Sequence, residues 1–132
     1  MSIAYDTTAA NVKPLQGAII RRYTAAAAID AGMAVYLSAN DTVTKCDGNA
    51  VASTLPFVGI ALQDVATGDR VDVVVFGPVN SVTGGTAGSL LYLSDTAGEV
   101  AESAGTKQFQ IGFVENATVI FVSPGRLAAA AS

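Results

Sequence analysis

The stretch AGMAVYLS at residues 31–38 recurs as AGSLLYLS at residues 87–94, and this internal repeat decides the fold. Each copy runs into a polar turn and then reaches a valine, Val43 in the first copy and Val100 in the second. Apolar and β-branched residues that end in a polar turn are typical of one arm of a β-hairpin. The repeat therefore predicts two β-units of similar construction.

Two further matches follow in the same order along the chain. FVGIA at residues 57–61 resembles QIGFV at 110–114, and VVVFGP at 73–78 resembles VIFVSP at 119–124. Three matches in one order favour a true repeat over chance similarity between short strands. We expect the two units to pack their apolar faces together as a barrel or a sandwich.

The rest of the chain has the same character. Short runs of Val, Ile, Thr, Tyr and Phe alternate with clusters of Gly, Asp, Asn, Ser and Pro, which is typical of short strands and tight turns. The sequence predicts an all-β, single-domain barrel or sandwich, and it leaves jelly roll, barrel and open sandwich as alternatives. The predicted strands lie near residues 17–23, 33–38, 42–46, 57–63, 71–76, 78–82, 89–94, 99–101, 108–115 and 117–123.

The pattern of apolar residues predicts which faces of these strands are buried. Strict alternation places Phe109, Ile111 and Phe113 on one face of their strand, and it does the same for Val58, Ile60 and Leu62. The uninterrupted apolar run at residues 73–76 indicates a strand that is covered on both faces, by the core or by a neighbouring subunit.

Glycine and proline punctuate both units. Gly59 and Gly112 occupy matching positions and predict a bulge or a close backbone approach. Pro78 is expected to end its strand, because proline has no N–H to donate to the ladder.

Three segments are predicted along the chain. The first lacks any hydrophobic period, so we expect an extended N-terminal arm, in which Pro14 biases Lys13 toward extended geometry and Tyr5 and Leu15 are apolar anchors. The last is short and unanchored, so we expect a flexible Ala-rich tail. The predicted segments are the arm at residues 1–16, the β-domain at 17–124 with repeats at about 31–78 and 87–124, and the tail at 125–132.

Composition excludes several classes of protein. The 132 residues are 51% hydrophobic and carry a formal net charge of −4, which is incompatible with intrinsic disorder. No basic stripe exists to neutralise phosphates, so we expect no nucleic-acid partner and no anionic membrane partner. The start of the chain lacks the basic and apolar regions of a signal peptide, and no apolar run approaches the roughly 20 residues that span a bilayer. We therefore expect a soluble protein made in a reducing cytosol.

No residue pattern points to catalysis, a cofactor or a metal. The chain has no His, and Cys46 is its one cysteine, so the commonest general base and any Cys–His pair are missing. The carboxylates Asp64, Asp69 and Asp72 are close in sequence, but their spacing fits a solvated hairpin turn better than a metal loop. The Gly-rich residues 84–89 have no Lys-Ser/Thr after them and predict a turn rather than a phosphate loop. We expect that the protein is not an enzyme.

The succession IIRRYTA (residues 19–25), IDAGMAVYL (29–37), FVGIAL (57–62) and GDRVDV (68–73) resembles the capsid cement, or head decoration, proteins of tailed bacteriophages. The resemblance covers about residues 17–78 directly and the rest through the repeat. It implies a small β-rich protein that forms trimers on the outside of an icosahedral head. There it would bridge major capsid subunits and stabilise the head against internal pressure, after assembly in the host cytoplasm.

On this interpretation the partners are the major capsid protein and two further copies of the same chain. Adjacent Arg21 and Arg22 face opposite sides of a strand, and either a surface salt bridge or partner docking explains them. The candidate capsid-binding residues are Tyr5, Lys13, Leu15, Arg21 and Arg22.

Two alternatives remain. One is a β-module of a phage fibre, tail spike or bacterial surface protein that binds carbohydrate or protein, with Tyr23, Tyr36 and Tyr92 in a groove. The other, less favoured, is a small enzyme or carrier domain.

Overall fold

The computed structural model describes residues 4–5, 11–46, 57–94, 98–102 and 110–123. These residues form strands and turns without an α-helix, which confirms the all-β prediction. The predicted tail at 125–132 and Phe109 lie outside the described residues. The strands are β1 (Ala4–Tyr5), β2 (Lys13–Pro14), β3 (Ile19–Ala25), β4 (Ala34–Ala39), β5 (Thr42–Lys45), β6 (Phe57–Ala61), β7 (Arg70–Asn80), β8 (Val82–Thr83), β9 (Leu90–Leu93), β10 (Val100–Ala101), β11 (Gln110–Val114) and β12 (Val119–Val122).

Five of these strands close into a barrel. β3, β7, β6, β4 and β5 pair in that order, each antiparallel to the next. Parallel pairing between β5 and β3 closes the ring. The closing contact is short and joins Thr24 to Thr42 and Ala25 to Val43. Of the architectures that the sequence left open, the structure is therefore a closed barrel extended by further strands.

The extra strands form a second antiparallel sheet beside the barrel, in the order β10, β9, β11, β12, β7 and β2. β7 belongs to both halves. Up to Phe76 it pairs with β3, and from Gly77 onward it pairs with β12. One long strand thus joins the two units without a connecting loop.

The prediction that Pro78 ends its strand is wrong, because β7 continues to Asn80. The carbonyl of Pro78 accepts a hydrogen bond from the backbone N–H of Leu15 at 3.0 Å. The nitrogen and carbonyl of one residue point to the same side of an antiparallel strand, so the proline nitrogen faces Leu15 and not β12. The carbonyl of Leu15 accepts from Ala18 instead, at 3.1 Å, and no ladder bond is lost.

Both copies of the predicted repeat carry the same pairing scheme. β4 lies between β5 and β6, and β6 pairs with β7; β9 lies between β10 and β11, and β11 pairs with β12. The register aligns Ile60 with Val74 in the first unit and Phe113 with Phe121 in the second. By strand register, Val74 therefore corresponds to Phe121. The sequence match instead aligned Val75 with Phe121, so the two alignments differ by one residue.

A β-bulge occurs at the same place in each unit and corrects the predicted faces. Pairing skips Val58 in β6 and Ile111 in β11. One extra residue reverses the face of everything beyond it. Ile111 is consequently buried while Phe113 is exposed, and Val58 and Ile60 pack into different clusters. The prediction that each set shares one face is wrong for this reason.

Two hydrophobic clusters stabilise the fold. One fills the barrel and includes Tyr23, Val43 and Val73. The other lies between the barrel wall and the second sheet and includes Val74, which is next to Val73 in sequence. The continuous run at residues 73–76 is thus covered on both faces at Val73 and Val74 by the chain's own cores. Phe76, the last residue of the run, is exposed.

The predicted N-terminal arm contacts the domain where the structure describes it. Ala4–Tyr5 pairs with β8, and Lys13–Pro14 pairs with β7. Val12 is buried, and the side chain of Asn80 donates a hydrogen bond to the carbonyl of Asn11 at 2.7 Å. Backbone pairing therefore seats this part of the arm on the second sheet.

Candidate functional site

The outer face of the second sheet, together with the start of β3, carries a row of exposed and half-buried aromatic and aliphatic side chains. The rings of Phe113 and Phe121 stack with centroids 5.1 Å apart, and Phe76 meets Phe121 edge to face at 5.2 Å. Such contacts prefer these offset and T-shaped geometries. We call this surface the aromatic strip, and its members are Leu90, Phe113, Phe121, Phe76 and Ile19.

Strand register assembles the strip from five different strands. Leu90 of β9 lies opposite Phe113 of β11, which lies opposite Phe121 of β12. Phe76 of β7 lies opposite Ile19 of β3. Directly opposed residues have Cβ atoms about 5 Å apart, so neighbouring members contact one another across the sheet.

The strip is unusually exposed for its size and chemistry. Relative exposure is 46% for Leu90, 40% for Phe113, 45% for Phe76 and 54% for Ile19. At about 200 Å² for each large side chain, the strip exposes on the order of 400 Å² of apolar surface. Single exposed apolar residues are common, and a contiguous patch of this size is comparable with the largest patch on a typical monomer, which is often functional.

Polar residues form a row beside the strip. Lys13, Asn80 and Val119 pair across β2, β7 and β12, and the N–H of Glu115 donates to the carbonyl of Val119 at 2.9 Å. Lys13 and Glu115 are both exposed. A shallow groove lies at the Lys13 end of this row, and it is lined by Asn11, Lys13, Leu15, Asn80, Thr118 and Val119.

The five predicted capsid-binding residues do not form one surface. Lys13 and Leu15 share the groove next to the aromatic strip. Arg21 and Arg22 lie on β3 in the barrel half. The backbone of Tyr5 pairs with Val82 of β8. The prediction that they bind a partner stays a prediction for each residue separately.

Each arginine of the predicted pair has a contact within the chain. Arg22 donates from Nε to Oδ1 of Asp72 at 2.9 Å, and Gln63 donates to the other carboxylate oxygen at 3.0 Å. The guanidinium of Arg21 lies 5.8 Å from the ring centroid of Tyr23, within cation–π range. Arg22 thus makes the surface salt bridge that was one of its two predicted roles.

The three clustered carboxylates are used by separate parts of the backbone. Asp64 accepts from the N–H of Ala31 at 2.8 Å, and Asp69 accepts from the N–H of Ala66 at 3.0 Å in a turn. Asp72 accepts from Arg22 instead. Within the described ranges no group of three or more His, Cys, Asp and Glu is arranged to hold a metal ion.

Cys46, Tyr23 and Tyr36 pack in or against the hydrophobic clusters of the fold. Cys46 is 1% exposed, and burial raises the pKa of its thiol well above the ordinary value, which disfavours the reactive thiolate. Tyr23 is buried in the barrel cluster, whereas Tyr36 packs against the cluster between the two halves. These two tyrosines therefore do not line one carbohydrate groove.

Sequence reasoning did not find the aromatic strip. Its members lie at sequence positions from 19 to 121, and only strand register brings them together.

A scan against protein-family models finds no match, and a search of curated proteins finds no significant sequence match. No helix in the described part of the chain is long and apolar enough to cross a membrane.

Proposed function

We propose that this chain is a structural decoration protein, which binds the outer surface of a bacteriophage head and stabilises it. The aromatic strip is the observation that carries the proposal. It offers a rigid apolar contact through which copies of this closed β-framework can associate, which suits a protein that attaches as an oligomer. The resemblance of residues 17–78 to head decoration proteins and the lack of His in the whole chain support the same interpretation.

In this proposal the protein acts as a homotrimer without enzymatic activity or cofactor. Its partner is the major capsid protein, and it resides on the outer capsid after assembly in the host cytoplasm. Multiple copies of one modest contact would supply the overall affinity. Arg21 and Arg22, which are exposed on the barrel, and the part of the N-terminal arm before Lys13 are the proposed capsid contacts.

Attachment is tested with undecorated heads. Purified protein is mixed with heads and sedimented, and the bound fraction is measured against free concentration. We expect saturable binding at a fixed number of copies for each head. Binding that never saturates, or that equals binding to an unrelated particle of similar size, would contradict the proposal.

The role of the arm is tested with a chain that lacks residues 2–14. The truncated chain should bind heads more weakly, because the arm is proposed to contact the capsid. Circular dichroism of the free chain is the control for folding, and light scattering is the control for trimer formation. Full occupancy at unchanged affinity would remove the arm from the capsid contact. An unfolded product would show that the fold requires the strand pairing of the arm, which joins β1 to β8 and β2 to β7.

A further inference from the structure

We propose that the aromatic strip is where copies of this chain associate, with the β11 end of one copy meeting the β2 end of the next. This inference rests on the proposed homotrimer and names the face and the contacts that would build it. It assigns Lys13 and Leu15, which the sequence suggested for capsid contact, to the interface between copies.

Two opposite charges lie beside the strip. Lys13 of β2 lies opposite Asn80 of β7, four residues from Phe76, and Glu115 directly follows β11, two residues beyond Phe113. Opposed residues, and residues an even number apart in extended chain, share a face, so both charges lie on the same side as the strip. Three strand spacings separate them, which is roughly 14 Å. The described residues hold no ion pair between Lys13 and Glu115.

Rotation about an axis parallel to the strands would bring these ends together. In a cyclic assembly, the β11 side of one copy's strip meets the β2 side of the next copy's strip. Glu115 of one copy then opposes Lys13 of the next. Because each chain has a net charge of −4, copies repel one another in general, and a contact that pairs opposite charges offsets this repulsion.

The same rotation would bury the apolar members of the strip. Leu90 and Phe113 of one copy would face Phe76 and Ile19 of the next. Each copy would bury about half of its strip, on the order of 200 Å², against each neighbour, which is about a quarter of the roughly 800 Å² that each partner buries in a stable interface. Aromatic side chains are enriched at the centres of such interfaces, and a polar rim supplies the rest. The strip with its charged row has this arrangement.

Charge reversal tests the proposal. The stoichiometry and dissociation constant of the full chain are measured by light scattering and sedimentation equilibrium, without heads present. We expect the wild type to have about three times the 13.3 kDa chain mass. Lys13→Glu and Glu115→Lys should each weaken association about tenfold, because each places like charges together. The double variant should restore association, because it exchanges the two charges.

Two further variants make the test specific. Lys45→Glu is the matched control, because Lys45 is exposed on β5 of the barrel, and this reversal should leave association unchanged. Phe113→Ser should weaken association, and urea unfolding at a concentration where the chain is monomeric separates this loss from the stability that is lost with the stacking of Phe113 on Phe121.

Each outcome decides the inference. A trimer that resists both single reversals and Phe113→Ser would overturn the proposed face but leave the homotrimer intact. Single reversals that weaken association without rescue in the double variant would overturn the pairing of Lys13 with Glu115. A wild-type monomer at high concentration would overturn both the homotrimer and this inference. A trimer that shows the rescue but does not bind heads would support the inference and contradict the capsid proposal.

Discussion

Gly59 of β6 lies directly against the carbonyl oxygen of Val74 on β7, and a Cβ at position 59 would overlap that oxygen. Gly112 of β11 has the same relation to the carbonyl of Phe121 on β12. Each glycine directly follows the bulged residue of its unit. The two units therefore share one packing constraint, in which a bulge brings the backbones of two strands together.

Replacing Gly59 by alanine should strongly destabilise the protein. The methyl group can be accommodated only by moving backbone, so we expect a loss of about 3 kcal/mol or more in the free energy of unfolding. Urea denaturation measures the loss. Gly68→Ala is the control, because Gly68 has open space and a φ of +90°, and its cost should be only the roughly 1–2 kcal/mol of left-handed backbone. Equal effects of the two substitutions would contradict the steric explanation.

Cys46 should report unfolding rather than react in the native state. Burial raises the pKa of this thiol, so the thiolate is scarce and the sulfur is shielded at mildly alkaline pH. In concentrated guanidinium, a thiol reagent should label Cys46 as fast as it labels a free thiol. It should label the native chain far more slowly. Mass spectrometry after timed quenching measures the labelled fraction. Rapid labelling of the native chain would show that the environment of Cys46 opens readily.

The stabilisation that Asp72 provides should be lost in acid. Hydrogen bonds from Arg22, and then from Gln63, hold the pKa of this carboxyl below its ordinary value. A lowered pKa stabilises the fold above the unfolded pKa of about 4, and this contribution is lost as the pH falls through the folded value. At neutral pH, the melting temperature of the wild type should therefore be slightly higher than that of Asp72→Asn. This difference should shrink as the pH falls below about 4 and vanish below the folded pKa.

An Arg22→Gln background is the control for this pH dependence. Arg22 supplies the largest cause of the shift, so the difference between Asp and Asn at position 72 should shrink in that background. A difference that widens toward low pH would reverse the expected sign.

Replacing Ser81 by alanine should stabilise the protein. Its hydroxyl is fully buried and has no hydrogen-bond partner among the described residues. A buried polar group without a partner costs roughly 1–3 kcal/mol, so its removal should raise the free energy of unfolding by about 1 kcal/mol. Ser38→Ala is the matched control, because the Ser38 hydroxyl is exposed. A loss of stability in Ser81→Ala alone would indicate that the hydroxyl is satisfied in solution.

Local chemistry in the sequence was sufficient to predict the strands. Period-two alternation and turn residues act over a few positions, so they placed β3 to β6 and β9 to β12 within a few residues, whereas they divided β7 at Gly77. The repeat indicated two similar units, and Gly59 and Gly112 indicated a bulge or a close approach. Pro78 was misjudged because its effect depends on which neighbour its nitrogen faces, and that neighbour, Leu15, is distant in sequence.

The sequence by itself determined that this chain is an all-β protein without histidine, with a bulge or a close backbone approach at Gly59 and Gly112. These properties depend on residue types and short spacings. Only the tertiary structure decided that five strands close into a barrel, that β7 serves both halves, and that Phe76, Phe113 and Phe121 form one exposed surface. Register between distant strands is selected by the packing of the whole core, and a single bulged residue exchanges the buried and exposed faces. No pattern along one strand contains that information.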